Sequence, residues 1–555
     1  MNHPSPFTRL KALIQLERED IGTLLAYGVG IGLMSLATPV AVQALVNTIA
    51  FGALFQPLLV LTLVLLVLVA FSNLLVGLQF YVVEMLQRRL FVRFFGEAAA
   101  RLQQAASSAR DGEYLPELAN RFLDVVTLQK TASVLLLETL GYVLQTVIGM
   151  VLLAFYHPLL LAFDLFLVAT LAIILFVMGN NGLDTAIAQS KAKYAALAWL
   201  ENIAAQTTLG KSNTGAAFLT AQSEHIAHDY LQASKQHFRV LTRQNTGALV
   251  LHTLANTLLL GMGGWMVLEH QLSLGQLIAA ELVVSAMIYG LTRLGKTLDN
   301  VYELLVSLDK IGHVLDLPQE SSQGATPPTD GQALQVDVYG VAVADSLHLD
   351  KLRRVDLHLA AGSRLVLGMG SERGTLLDVL YGLRSPTSGY VCLNGQDVRD
   401  LHLGLLRDQV ALVRDAEIIP GTVYDNLAVG RSLTPEAIQQ GLAQVGLLEQ
   451  VSGLPEGLQT ELGFNGAPLS PEQCLRLTLA RALLMRPGLL LLDGVFGHIS
   501  PQALPVVLDT VFADTAPWTL IATSQDPDII RRSPRYARIE QGVLLETMAD
   551  KTGGL

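Results

Sequence analysis

Residues 365–383 read LVLGMGSERGTLLDVLYGL. An apolar run enters a glycine-containing turn, and the turn opens into a helix-forming segment. That order can cradle nucleotide phosphates, because small residues let backbone N–H groups close on the anion and a helix N-terminus faces it. Gly368, Gly370, Ser371, Arg373 and Thr375 are the turn residues placed for this task. A working loop also needs a Lys to bridge the outer phosphates and a Ser or Thr oxygen for Mg²⁺. Here Arg373 stands at the Lys position and Gly374 at the metal-ligand position, and Glu372 replaces a glycine. Arg keeps the charge but presents a bulkier, planar fork. Glu372 adds a carboxylate beside a site meant for several negative charges. Further on, the apolar run GLLLLD ends in Asp493, a carboxylate suited to a metal, and Gly494 follows it.

The elements that must position these residues form the second of two unlike parts. The chain has 555 residues, 51% of them hydrophobic and only 15% charged, with a mean hydropathy of +0.43. That is too apolar for an ordinary soluble protein and too long for one domain. The net charge of −11 argues against nucleic acid as a partner. The two cysteines, Cys392 and Cys474, imply no disulfide framework.

The apolar residues concentrate before residue 316. Six stretches reach the roughly 20 residues needed to span a bilayer, at about 24–46, 58–83, 132–156, 158–179, 246–268 and 273–294. Residues 1–23 lack the apolar core of a cleaved signal peptide and read as a helix lying on a membrane surface. The loop after the second span carries Arg88, Arg89, Arg93, Arg101, Arg110, Arg121 and Lys130. The loop after the fourth carries Lys191, Lys193, Lys211, Lys235, Arg239 and Arg243, and the three remaining loops carry no Lys or Arg. The positive-inside rule makes both long loops and both termini cytoplasmic.

Glu138, Asp164, His252 and Glu281 are the ionisable residues within the spans. Asp164 is expected near the outer interface, within reach of water. Glu281, nearer mid-span, is the candidate for a transport pathway, with an inter-helix hydrogen bond as its structural alternative. Residues 316–333 form a Pro/Ser/Gly-rich linker. Beyond it, LQVDVYGVAV, VDLHLAAGSRLVLG, GLLLLD and WTLIAT read as strands alternating with helices, so 334–555 is expected to be an α/β domain.

Between the glycine-containing turn and the C-terminus stand SPTSGYVCLNGQDV (385–398), PGTVYDNLAVG (420–430), LSPEQCLRLTLARALLMRPGLLLLDG (469–494) and ATSQDPDI (522–529). In this order and spacing they resemble the nucleotide-binding domain of ABC half-transporters of the exporter type. The resemblance covers nearly the whole chain. The membrane half also resembles, less specifically, type I secretion and peptide-export ABC proteins. The implied fold is an α-helical polytopic membrane domain with six transmembrane helices, followed by an α/β P-loop-like ABC nucleotide-binding domain. The implied location is a bacterial inner membrane.

Set against the family pattern, most chemical stations are altered. Asp493 keeps the metal-associated carboxylate, but Gly494 replaces the catalytic Glu. Arg414 stands at the Q-loop glutamine, Gln525 (or Ser524) at the switch histidine, and Ser500 at the D-loop aspartate. Val343 stands at the adenine-stacking aromatic, with Tyr339 nearby. In the signature, Ser470 and Gln473 survive, while Pro471 and Glu472 replace the two glycines. Pro471 has no N–H for a γ-phosphate, and Glu472 is expected to repel one. The resemblance therefore implies a subunit that binds Mg-ATP weakly or not at all, energised by a partner half-transporter and working with a periplasmic adaptor. The alternatives are a non-transporting scaffold or receptor, and an active homodimeric exporter with atypical motifs. The segments near 110–120 and 200–212 are expected to couple the membrane helices to the α/β domains.

Reporter fusions test the topology. Fusions at about residues 54 and 270 should read outside, and those near 115 and 215 inside. A cytoplasmic signal at 54 would refute the arrangement.

Overall fold

A computed structural model describes residues 4–50, 55–107, 115–327, 332–344, 350–368, 370 and 372–548. Ser371 lies outside these residues, as does much of the expected 110–120 coupling segment. The chain divides at Leu317/Pro318 into a helical unit and an α/β unit, with the short segment from Ala105 grouped with the second.

The helical unit contains α1 (Pro6–Leu16), α2 (Arg18–Ser35), α3 (Ala37–Ala50), α4 (Phe55–Gln103), α5 (Leu115–Asn120), α6 (Asp124–Val134), α7 (Leu140–Tyr156), α8 (Pro158–Ala172), α9 (Gly182–Ala205), α10 (Asn213–Leu268), α11 (Leu274–Thr292) and α12 (Leu294–Leu315). Among the described residues, five stretches are long and apolar enough to cross a bilayer: Arg18–Asn47, Leu58–Gln103, Leu115–Tyr156, Pro158–Val177 and Asn213–Leu268. The sixth expected span is the shorter apolar helix Leu274–Tyr289. The helix itself continues to Thr292, and its 19 residues reach roughly 28 Å, close to the ~30 Å hydrocarbon core. By contrast, the 49 residues of α4 and the 56 of α10 extend far beyond such a core. Two helices of the unit continue through a π-helical turn, at Leu135–Thr139 and Ile173–Val177.

The expected surface helix over 1–23 is instead broken at Glu17, between α1 and α2. Leu10 and Leu13 of α1 pack on a buried cluster containing Leu86, Leu90, Val125, Leu128, Leu304 and Leu308. Arg9 is paired with Asp316. Phe7 and Ile14 remain exposed. Glu17 is buried and accepts from Arg89 (3.1 Å) and Arg93 (2.5 Å). Two of the arginines that set the charge asymmetry thus also pin the start of α2.

The α/β unit is built on β1 (Val336–Ala344), β2 (Asp350–Leu359), β3 (Arg364–Leu367), α13 (Arg373–Leu380), β4 (Ser388–Leu393), β5 (Gln396–Asp397), β6 (Val410–Val413), β7 (Gly421–Thr422), β8 (Glu461–Leu462), α14 (Pro471–Leu484), β9 (Leu489–Leu492), β10 (Thr519–Thr523), β11 (Arg535–Glu540) and β12 (Val543–Met548). Ten strands form one sheet in the order β5-β4-β1-β2-β12-β11-β3-β10-β9-β6, and β7 pairs with β8. The run β11-β3-β10-β9-β6 is parallel. Alternating side chains enter two cores: Leu490, Leu492, Leu520 and Ala522 pack on one face, and Leu489, Leu491 and Ile521 on the other. A strand buried on both faces must be continuously apolar, which is why GLLLLD and WTLIAT show no alternation in sequence. The C-terminal ends of β3, β6, β9 and β10 converge on one place, and Arg373, Gly374, Arg414, Gly494 and Gln525 follow those ends.

Candidate functional site

β3 is fully buried and delivers the chain to Gly368, where an added Cβ would meet the Tyr536 hydroxyl at 2.6 Å. Glu372 caps α13, and the Thr375 N–H donates to the Glu372 carbonyl (3.1 Å). Gly370, Arg373 and Thr375 therefore sit at a strand-to-helix turn of the shape that accepts phosphate.

The side chains of that turn point to a different use. Asp493, at the end of β9, has a side chain only 6% exposed. Its Oδ1 accepts from Arg373 Nε (2.9 Å) and its Oδ2 from Arg414 Nε (2.7 Å). Arg373 also donates through Nη1 to the Gly370 carbonyl (2.7 Å), so its fork folds back onto its own loop. Arg414, directly after β6, donates through Nη2 to Asp378 Oδ1 (3.0 Å) and the Gly374 carbonyl (3.3 Å). Arg384 approaches the other Asp378 oxygen at 3.4 Å. Burial lowers the Arg414 pKa, but hydrogen bonds and charge from Asp493 and Asp378 outweigh it and leave the guanidinium above its ordinary value. From β10, Thr523 contacts Asp493 Oδ1 (3.4 Å) and accepts from the Gly494 N–H (2.7 Å).

This arrangement does not fit a divalent metal. Both Asp493 oxygens already receive N–H donors, and Gly374 supplies no oxygen. A Cβ at 374 would lie 3.4 Å from Arg414 Nη2 and 3.5 Å from Asp493 Oδ2. A hydroxyl-bearing residue there would have to share that space with the guanidinium. The expectation that Asp493 is available to a metal is therefore replaced: the Arg414 guanidinium supplies the positive charge beside it.

The other stations are also committed. Gly494 has φ = 73°, left-handed backbone that costs an L side chain roughly 1–2 kcal/mol. Val343 is 3% exposed within β1 and offers no stacking surface, while the exposed Tyr339 ring packs on Tyr390 at 4.9 Å between centroids. Ser524 is buried, and Gln525 is exposed at the end of β10. Ser470 and Gln473 form a reciprocal capping box at the start of α14, each side chain accepting from the other's N–H (3.2 and 2.8 Å). Pro471 occupies the first turn of that helix, where its missing N–H costs the helix nothing.

Glu472 departs from its expected role as a carboxylate facing a phosphate. It accepts from the Ser500 N–H (2.9 Å) and pairs with Arg476 Nε (3.3 Å). Burial raises the Glu472 pKa, but these partners outweigh it and hold the carboxyl below its ordinary range. Glu281 has an oxygen sealed from solvent with no hydrogen-bond partner among the described residues, so the alternative of an inter-helix hydrogen bond is not met at that atom. Sequence reasoning missed Asp378 and Thr523. The one available signal was a complementary exchange, a large cation at 414 opposite a residue without a side chain at 374.

The fold is a polytopic helical membrane unit followed by an α/β unit of the ABC nucleotide-binding type. Residues 352–496 match the ABC transporter family model, and the chain is an integral membrane protein related to bacterial ABC exporters. More particularly, the fold superposes on a bacterial Atm1-family ABC exporter solved with ATP bound, with a TM-score of 0.84 and 18% identity over 96% of each chain. The alpha-hemolysin translocation ATP-binding protein HlyB of Escherichia coli is 23% identical over 97% of this chain and 76% of its own length. A multidrug efflux ATP-binding/permease protein of Mycobacterium tuberculosis is 28% identical over 53% of this chain, and the match spans only 25% of that relative.

Removing the shared acceptor tests the clamp. Asp493→Ala leaves two guanidiniums short of a partner and should destabilise the α/β unit by about 3 kcal/mol, the range for breaking a buried pair. Arg414→Ala should cost less, because that side chain is about a third exposed. Thermal unfolding of the full chain in detergent reads both, and an unchanged midpoint in Asp493→Ala would refute the clamp.

Proposed function

We propose that this chain is the ATPase-silent subunit of an ABC-type membrane export complex, energised by a partner half-transporter. The supporting observation is the pair of guanidiniums on Asp493. With Arg373, Arg414 and Asp493 satisfying one another, the loop has neither a free cation for outer phosphates nor a free carboxylate for a metal. In ABC exporters each composite site takes its phosphate loop from one subunit and its signature from the other. This chain can still present Ser470 and the α14 N-terminus to a partner's loop. Pro471 removes one donor there, and Glu472 is turned to Ser500 and Arg476. A periplasmic adaptor is the further partner implied by the resemblance of the membrane half to type I secretion ABC proteins. A second reading, a homodimeric exporter ATPase with atypical motifs, draws support from the names of the relatives, which describe ATP-binding translocation and efflux proteins.

The purified chain alone should hydrolyse no ATP above background, and Arg373→Lys should not restore turnover. Robust turnover that disappears in Arg373→Ala would establish the second reading. In a verified heterodimer with an intact partner, Pro471→Gly should raise the ATPase rate by restoring a backbone donor. No increase would mean that this signature faces no working nucleotide.

A further inference from the structure

Among the described residues of the helical unit, Asp164 is an acid with both carboxyl oxygens buried and unpartnered. Asp164 lies on α8, six residues past Pro158, or about 9 Å along the helix. It is 4% exposed, and both carboxyl oxygens are sealed from solvent with no hydrogen-bond partner among the described residues. The expectation that it reaches water at the outer interface is thus overturned. Its neighbours Leu160, Phe163 and Leu167 belong to one buried apolar cluster with Leu153 of α7 and Leu251, Ala255 and Leu259 of α10.

No cation is available from the helices around it. α7 and α10 pack against α8, and α11 packs against both. The titratable groups of α7 are Tyr142 and Tyr156, and the Tyr156 hydroxyl donates to Gln43 (2.6 Å). The apolar part of α10 offers His252, which lies against Asn256 on its own helix (3.4 Å), and past its end Glu269 and His270 are exposed. α11 brings Glu281 and Tyr289, an acid and a phenol. At the turn before α8, His157 Nδ1 accepts from the Leu159 N–H (3.1 Å). None of these is a Lys or Arg, and no ion pair to Asp164 is formed.

An ionised carboxylate in apolar surroundings, without counter-charge or donors, costs several kcal/mol, whereas the neutral acid avoids most of that penalty. We propose that Asp164 is a membrane-embedded proton-binding site, held as the neutral carboxylic acid at neutral pH. The ligand is a proton. Any motion that opens α8 to water on either side lets Asp164 release it, so the helical unit carries a proton-linked step that does not depend on the nucleotide site.

The test uses the full chain reconstituted in lipid. Infrared spectra at neutral pH should contain a protonated carboxylic acid C=O band that is lost in Asp164→Asn. Absence of the band in the wild type, or its full survival in Asp164→Asn, overturns the proposal, since a basic group from a second subunit would ionise the acid. Should the variant not fold, the wild type is treated with an apolar carbodiimide. An acid O–H adds across its C=N bond and rearranges to an N-acylurea with no leaving group, and an ionised carboxylate does not react this way. Mass spectrometry should find the adduct on Asp164 at neutral pH, with the yield falling as pH rises. An unmodified Asp164 overturns the proposal.

Discussion

The carboxylate of Asp493 organises the α/β unit. It sits where four parallel strands end, and it is held by one side chain from the glycine-containing loop and one from the residue after β6. Thr523 adds a contact from β10. In a nucleotide-binding domain of this fold, that convergence of strand ends is where a ligand binds. Here the protein's own arginines occupy it. The charges are mutually satisfied and the geometry supplies each carboxylate oxygen with a donor, which is the condition under which a largely buried ion pair is tolerated.

The same logic extends to the surrounding residues. Arg414 bridges Asp493 and Asp378 and reaches the Gly374 carbonyl, so one guanidinium ties β6, β9 and α13 together. Glu472 links the start of α14 to the backbone at Ser500. Interactions that a bound ligand could make reversibly are made by covalent parts of the chain. Asp164 in the helical unit is the contrasting case, a buried acid with no such partner.

Much of the architecture was legible in the sequence because it follows from periodicity and run length. The apolar runs at 488–493 and 518–523 were short enough to read as buried parallel strands, and the long basic loops announced helices carried past the bilayer. Five of the six spans stand out by length and apolarity. The sixth is a 19-residue helix interrupted by Gln276 and Glu281, so its apolarity is less continuous. The altered residues were visible one at a time, but not where their side chains go. That depends on pairings across long sequence separations, such as Arg373 with Asp493 and Arg414 with Asp378. Glu472 was misread for this reason: its carboxylate turns to a backbone N–H 28 residues away. Asp164 was misread because its position near the turn at His157 suggested water, while the packing of α7 and α10 closes it off.

Gly494 limits how a side chain at that position could be presented. Its backbone is left-handed, and its N–H is held by Thr523, which in turn touches Asp493. An acidic side chain introduced there would inherit that conformation, aimed by a peptide plane oriented for glycine. A Cβ at 494 would meet nothing within 4 Å, so the restraint on such a residue lies in the backbone and not in packing. The identity of residue 494 is thus tied to a backbone shape that three strands' ends hold in common.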